Sequence, residues 1–278
     1  MATLPHGIPD DSQARPPYDV QAALDAVRTR IEKAGVDPDR LRVVAVTKGF
    51  GPAAVLAALA AGLHDVGENY AAELLAKHDA VTHGAGAHSA PGEAVRWHFL
   101  GAVQRNKVAS LAPVVSCWQG VTRVVEAEAI ARRRPGARVL VEVDTTGEPG
   151  RNGCAPAMVP ALVREISALE LDVGGLMTVA PRDPGDARAT FRTVRQLADR
   201  LGLEERSMGM SDDLELAVAE GATMLRLGRV LFGPRPARRA PDAGAEAVEK
   251  GVETAPEATG TPARAGGDAA GDCQASAK

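Results

Sequence analysis

The amino-acid sequence predicts an α/β fold, a single (β/α)8 TIM barrel with an extra N-terminal helix. Eight short apolar runs recur along the chain, and segments of helix length with apolar residues three and four positions apart separate them. Strands that alternate with helices form a parallel sheet. Eight such units within about 220 residues favour a closed barrel over an open sheet.

The candidate strands are short apolar runs, most of which contain Val or Leu. They cover residues 41–48, 64–69, 96–101, 113–118, 138–144, 173–180, 206–210 and 223–233. The runs 113–118 and 206–210 have the weakest patterns. Helices are predicted at residues 20–33, 52–61, 155–169, 184–201 and 212–220.

Low-complexity ends limit the predicted barrel domain to residues 17–235. Residues 236–278 contain no Leu, Ile, Met, Phe, Trp or Tyr, so they bury too little apolar surface to offset the entropy of ordering, and we predict a disordered tail. Residues 1–16 have a similar character and are also predicted to be disordered. A polar loop insertion is predicted near residues 78–93.

Charge and targeting signals exclude several classes of partner. The net charge is -4 and neither sign forms a long block, so we expect no nucleic-acid or membrane partner. The N-terminus lacks the basic start and apolar run of a signal peptide, and no segment approaches the roughly 18 apolar residues of a membrane span. We therefore expect a cytoplasmic monomer that binds a small molecule.

Cysteines and histidines give no pattern typical of a disulfide framework or a metal site. Cys117, Cys154 and Cys273 are odd in number and widely separated, which predicts reduced thiols. The histidines have irregular spacings, and no cysteine or glutamate completes a ligand set around them. We predict no bound metal.

Lys48 is the first candidate functional residue. It ends the first predicted strand and is followed by Gly-Phe-Gly-Pro, and barrel active sites are assembled at that end of the strands. The chain has six lysines against 26 arginines, which makes this lysine conspicuous. A desolvated lysine amine readily attacks an aldehyde to form a Schiff base, although a solvated strand-end charge is the alternative interpretation.

Two further groups follow the second and third strands. Asn69 and Tyr70, in the segment GENYAAE, could reach a ligand over the barrel mouth or could simply begin a helix. His98 alternates with Trp97 and Phe99 inside a strand, and a hydrogen-bonded core histidine is the more common role at such a position.

The segment SMGMSDD, followed by MLRLGRVLFG, predicts a phosphate site after strands seven and eight. Ser211 would stand at the start of a helix whose terminal amides bind anions, and Gly228 would allow close backbone approach. The alternative is that Ser211 or Asp212 only caps that helix, with Asp212 and Glu215 forming a capping box. A cap and a phosphate site can share one turn.

The motifs AVTK, GENY, WHFLG, GLMTVAP and SMGMSDD…MLRLG…FG, taken together and in this order, resemble those of the pyridoxal 5'-phosphate (PLP) homeostasis proteins, the YggS or PROSC family. The resemblance spans residues from about 20 to 235. It implies a barrel like the N-terminal domain of alanine racemase and a PLP aldimine on Lys48. It also implies a cofactor-binding set of Lys48, Asn69, Ser207, Met210, Ser211, Arg226, Gly228 and Arg229.

Within that set, the resemblance implies that Asn69 lies beside the ring, that Ser211 and the backbone of Gly228 and Arg229 hold the phosphate, and that Arg226 faces the pyridine nitrogen. Ser207 and Met210 are implied as neighbours of the cofactor. The sequence departs from the usual family pattern at Gly49-Phe50 and at Arg229.

These residues favour a PLP carrier that stores or delivers the cofactor over an enzyme that uses it. The chain has only two tyrosines, Tyr18 and Tyr70, as candidates for a second acid or base, and an arginine at the pyridine nitrogen makes the ring a poorer electron sink. PLP-dependent apoenzymes are then candidate partners. A racemase-like amino-acid enzyme is the alternative, and a phosphosugar isomerase or aldolase using Glu142 or Asp144 is a third hypothesis.

Overall fold

The structure, a computed structural model, describes residues 3–4, 8–9, 18–83 and 94–235. Within these residues eight parallel strands close into a barrel, which confirms the predicted fold. Each strand pairs with the next along the chain, and the last pairs with the first. The strands are β1 (Arg42–Val46), β2 (Asp65–Glu68), β3 (Arg96–Phe99), β4 (Val115–Val121), β5 (Arg138–Val143), β6 (Asp172–Thr178), β7 (Glu205–Ser207) and β8 (Met224–Leu227).

Helices follow the strands and form the outer layer. They are α1 (Val20–Lys33), α2 (Pro52–Ala60), α3 (Ala71–His83), α4 (Arg105–Leu111), α5 (Val124–Arg133), α6 (Val159–Ser167), α7 (Pro184–Leu201), α8 (Leu214–Ala219) and α9 (Arg229–Phe232), with a 3-10 turn at Pro38–Arg40. The predicted extra helix is α1, which packs against α8 and α9. No helix in these described stretches is long and apolar enough to cross a membrane.

Three strand predictions need correction. β4 begins and ends later than 113–118, and β7 is only three residues long because the chain turns away after Ser207. The run 223–233 is not one strand, since β8 stops at Leu227 and residues 229–232 form α9. Leu231 and Phe232 are apolar in either conformation, and here they are buried as part of a helix.

The predicted boundary segments are partly outside the described residues. α3 continues to His83, so the first six residues of the loop predicted near 78–93 are helical, and residues 84–93 lie outside the description. Thr3–Leu4 pairs with Ile8–Pro9, which gives part of the predicted disordered N-terminus a backbone pairing. The other residues of 1–16 and the predicted tail 236–278 lie outside the described residues.

Alternation along the strands separates an apolar outer face from a more polar interior. Trp97, Trp118, Val139 and Leu225 are fully or almost fully buried in the main hydrophobic cluster shared with the helices. Because neighbouring positions along a strand face opposite sides, polar side chains such as His98 lie on the other side, inside the barrel. The interior can therefore carry a hydrogen-bond network under the barrel mouth.

Candidate functional site

Lys48 lies two residues beyond the end of β1, at the carboxyl-terminal mouth of the barrel. Its side chain is half-buried, and burial together with the nearby charges of Arg235 and Arg226 lowers the pKa of its amine below the ordinary lysine value, while Glu68 and Glu73 oppose the shift. More of the amine is therefore unprotonated near neutral pH than for an exposed lysine. An unprotonated amine is the form that attacks a carbonyl.

A buried ion cluster holds the backbone just before Lys48. The Lys77 amine, which has no exposed surface, donates to the Thr47 carbonyl at 2.7 Å and to Glu68 Oε1 at 2.6 Å. The Thr47 hydroxyl donates to the same Glu68 oxygen at 2.5 Å. Burial raises the pKa of Glu68, whose second oxygen has no hydrogen-bond partner in the described residues. Sequence reasoning missed this cluster because Lys77 sits in a polar stretch of a helix, where a lysine usually faces solvent.

Gly49, the residue after Lys48, is held by the same ion cluster through Glu73. Gly49 N–H donates to Glu73 Oε2 at 2.8 Å, and Gly49 has φ +78°, in the left-handed region that favours glycine. The departure from the family pattern at Gly49-Phe50 thus has a local explanation. Phe50 packs in an aromatic cluster with Tyr18 and Phe232, and the ring centroids lie 5.4 to 5.7 Å apart.

Arg226 lies inside the barrel near the mouth and is buried. Its Nη1 donates to the Ser207 carbonyl at 2.6 Å and to the Ser207 hydroxyl at 2.9 Å, and its Nη2 donates to the Thr178 carbonyl at 2.7 Å. Burial lowers the pKa of Arg226 to about 10, with the charge of Glu142 acting in the opposite direction. The guanidinium thus remains a cation and a pure hydrogen-bond donor at neutral pH.

One residue of the predicted set, Ser207, lies deeper than the sequence suggested, and His98 lies deep in the barrel as well. Ser207 has no exposed surface, so it supports Arg226 from below instead of opening onto the mouth. His98 is also buried, and its Nε2 lies 2.8 Å from Asp65 Oδ1. His98 is therefore a hydrogen-bonded core histidine, the role that the sequence favoured for it.

Ser211 does not stand at the start of a helix as predicted, because α8 begins at Leu214, and its side chain lies against α9 instead. The Ser211 hydroxyl accepts a hydrogen bond from Val230 N–H at 3.2 Å, so this side chain faces the first turn of α9. A Cβ on Gly228 would lie 3.0 Å from the Val46 carbonyl oxygen, which explains why a glycine allows this turn to approach β1. Met210 directly precedes Ser211 and is half-buried.

The two aspartates after Ser211 are both engaged. Asp213 accepts from Met210 N–H at 2.5 Å and precedes α8, which begins at Leu214. Asp212 forms an exposed ion pair with Arg229. The alternative of a capping box between Asp212 and Glu215 is wrong, because Asp213 is the residue before α8 and Glu215 pairs with Arg30 of α1 at 2.6 Å.

Asn69 and Tyr70 lie beyond the end of β2, on the same rim as Lys48. Asn69 is half-buried, and its carbonyl would be 2.0 Å from a Cβ on Gly101, so the turns after β2 and β3 pack closely. Tyr70 is 53% exposed and its carbonyl accepts from Leu74 N–H, which begins α3.

The carboxylates of the third hypothesis are separately engaged. Glu142 is buried inside the barrel and bonded to the Asn152 amide, and burial raises its pKa. Asp144 accepts from the backbone N–H groups of Thr146 and Gly147 at 3.0 Å, as in a turn. Asp144 is therefore occupied with loop structure.

The donor groups at the mouth fit the chemistry of PLP. Lys48 offers an amine to an aldehyde, Ser211 with the first turn of α9 offers donors to a phosphate, and Arg226 offers a donor to a ring nitrogen. β8 pairs directly with β1, so these groups stand at neighbouring strand ends.

Comparison with known proteins gives a consistent result. The family model described as alanine racemase, N-terminal domain, matches residues 22–236. A pyridoxal phosphate homeostasis protein of Pseudomonas aeruginosa is 38% identical over 218 residues, covering 75% of this chain and 91% of the relative. One of Deinococcus radiodurans is also 38% identical, covering 77% and 99%. The structure of PipY of Synechococcus elongatus with PLP bound is 30% identical with a TM-score of 0.67, covering 77% of this chain and 100% of that one.

Proposed function

The chain belongs to the family of pyridoxal phosphate homeostasis proteins, and from this premise we propose that it holds PLP at the barrel mouth with Lys48 as the attachment point. The observation that carries the proposal is the juxtaposition of Lys48, after β1, with Ser211 and the start of α9, after β7 and β8. An amine and an anion site on one rim match the aldehyde and the phosphate of this cofactor.

Each residue has a separate role in this proposal. The Ser211 hydroxyl and the N–H groups of Gly228 and Arg229 bind the phosphate, because the first amides of a helix have no partner within the helix. Asn69 borders the ring, and Arg226 donates toward the ring nitrogen. When bound, PLP supplies an aldehyde that takes up a primary amine and a ring that can withdraw electrons.

Met210 completes the proposed set as an apolar neighbour of the ring. It is half-buried and directly precedes Ser211, so its side chain is available near the phosphate site. A thioether adapts its shape easily to a flat ligand.

We propose storage or delivery of the cofactor, and not turnover, as its role in cytoplasmic PLP homeostasis. Arg226 is cationic at neutral pH, so it disfavours a proton on the ring nitrogen, and an unprotonated ring withdraws electrons poorly. Tyr18 packs in the aromatic cluster with Phe50 and Phe232, away from a role as a mobile base. Apoenzymes that require PLP are the proposed recipients.

Absorption spectroscopy of the purified protein with added PLP tests the attachment. A visible band that survives dialysis, followed by borohydride reduction and peptide mapping to Lys48, is the expected result. Lys48→Ala should lose the band, and Lys107→Ala, which removes an exposed lysine at the start of α4, should retain it. An unaltered spectrum in Lys48→Ala would refute the assignment.

A second measurement separates a carrier from an enzyme. The loaded protein is incubated with amino acids in deuterated water, and exchange of the alpha proton is followed by NMR. A carrier should show no sustained exchange and should reactivate a PLP-dependent apoenzyme. Steady exchange over many turnovers would instead support a racemase-like enzyme.

A further inference from the structure

A continuous chain of buried side chains connects Arg226 at the mouth with Asp65 at the opposite end of the barrel. The Ser207 hydroxyl lies 2.9 Å from Arg226 Nη1 and 2.6 Å from Gln119 Oε1. Gln119 Nε2 lies 2.7 Å from His98 Nδ1, and His98 Nε2 lies 2.8 Å from Asp65 Oδ1. All five residues are buried, so water does not compete for these bonds.

The number of donors fixes the direction of every bond in this chain. A guanidinium only donates, so the Ser207 hydroxyl accepts from Arg226 and gives its single proton to the Gln119 oxygen. The Gln119 amide nitrogen must then donate to His98 Nδ1. In this arrangement His98 Nδ1 is the acceptor and its Nε2–H donates to Asp65 Oδ1.

The lower end of the chain is anchored by a charged pair. Arg96 donates to Asp65 Oδ2 at 2.6 Å and to Oδ1 at 3.0 Å. Burial alone would raise the pKa of Asp65, but the hydrogen bonds from His98 and Arg96 outweigh it and hold this pKa well below the usual value. Asp65 therefore accepts hydrogen bonds at neutral pH, and this keeps every bond of the chain donating in the same direction.

The upper end leaves part of Arg226 available. Both hydrogens of Nη1 and one of Nη2 are used by Ser207 and the Thr178 carbonyl. Among contacts within the described residues, the second Nη2 hydrogen and the Nε hydrogen have no acceptor. A guanidinium fixed on one edge in this way presents its remaining donors in a defined direction.

We propose that Ser207, Gln119 and His98 are positioning residues that aim Arg226 at the ring nitrogen of the cofactor, so that the site selects a pyridine ring over a benzene ring. This inference rests on the proposed PLP site. It assigns a role to Gln119 and His98, which lie too deep to contact a ligand at the mouth.

Affinities for two ligands test the proposal: PLP and its analogue with a C–H group in place of the ring nitrogen. Both carry the same aldehyde, hydroxyl and phosphate, so their ratio of dissociation constants isolates the contact at the ring nitrogen. The proteins compared are the wild type, Gln119→Met, Ser207→Ala and Thr190→Val. Thr190→Val is the matched control, since it removes a buried hydroxyl bonded to Thr145 at 2.6 Å, outside the chain.

The wild type and Thr190→Val should prefer PLP by about tenfold or more, the usual contribution of a hydrogen bond from a charged donor. In Gln119→Met and Ser207→Ala the preference should fall to about threefold or less, because Arg226 loses its fixed direction. General damage to the site would weaken both ligands equally and leave the ratio unchanged.

The outcomes separate the inference from the proposed function. A wild type that binds both ligands equally, or a full preference in both chain variants, would refute the positioning role while leaving PLP binding intact. A wild type that binds neither ligand would refute the proposed function itself. If Gln119→Met does not fold, Ser207→Ala decides alone, since it removes a single oxygen atom.

Discussion

Replacing Lys77 by methionine tests whether the buried ion cluster holds the segment that carries Lys48. The Lys77 amine has no exposed surface and lies 2.6 Å from Glu68 Oε1, 3.4 Å from Glu73 Oε2 and 2.7 Å from the Thr47 carbonyl. Methionine has a similar length and no charge, so the change removes the cation with little loss of volume. Two carboxylates and a carbonyl then remain without their shared donor.

The expected loss of stability is about 3–5 kcal/mol, as for other buried pairs that lose one partner. The raised pKa of Glu68 favours the lower end of this range, because Glu68 can take up a proton when Lys77 is absent. For a domain of this size, each kcal/mol lowers Tm by roughly 2–4 °C, so Tm should fall by about 6–20 °C. Cofactor retention should weaken as well, since Thr47 precedes Lys48.

Thermal unfolding followed by circular dichroism at neutral pH measures the change. Arg132→Met is the control, because Arg132 forms an exposed pair with Glu128 at 3.9 Å and should contribute less than about 0.5 kcal/mol. A loss below about 1 kcal/mol in Lys77→Met, close to that of an exposed pair, would show that the cluster does not stabilise this segment.

Three further changes probe other parts of the molecule. Because the pKa of Asp65 lies below its ordinary value of about 3.9, its ion pair stabilises the fold above that pH and is lost as pH falls through the folded-state pKa. Asp65→Asn should thus cost about 2–4 kcal/mol at pH 7 in denaturant unfolding, and a gap from wild type that widened in acid would contradict this. Gly49→Ala forces a side chain into φ +78° and should cost about 1–2 kcal/mol and weaken PLP retention in dialysis, whereas Gly62→Ala, at φ +76° with open space, should cost the same without affecting PLP. Ser211→Ala should weaken PLP binding about tenfold in fluorescence titration but leave pyridoxal binding unchanged, and an equal loss for both ligands would contradict a phosphate role.

The spacing of apolar residues was sufficient to predict the helices that have one face on the core and the other in solvent. α1 and α7 have the predicted bounds, because each is an amphipathic helix that begins after an aspartate cap, Asp19 and Asp183. The last segment of the barrel was harder to predict, because the apolar run after Gly228 fits a strand and a helix equally well. Its conformation depends on packing of Leu231 and Phe232 against distant residues, which no local pattern contains.

The positions of Lys48 and Ser211 beyond strand ends could be predicted, but the residues that support the barrel mouth could not. Both residues follow apolar runs, and Lys48 is also followed by Gly-Phe-Gly-Pro, all of which are local signals. Lys77 looks like a solvated residue until α3 packs on β2. Gln119 lies one residue beyond the predicted end of the fourth strand, so its inward direction could not be read from the sequence.

Two separate supports hold Lys48 and Arg226 at the barrel mouth. The cluster at Lys77 fixes the segment just before Lys48 from the helical layer, and the chain from Asp65 fixes Arg226 from the barrel interior, so Lys48 and Arg226 are held by different residues. In the proposed site, the donor-only guanidinium of Arg226 disfavours a proton on the ring nitrogen, which makes the ring a weaker electron sink. Because Arg226 is itself held by the Ser207 hydroxyl and two carbonyls, it cannot turn away to let an acid approach. In the proposed site, the rigidity that holds Arg226 in place would therefore also keep the ring a weak electron sink.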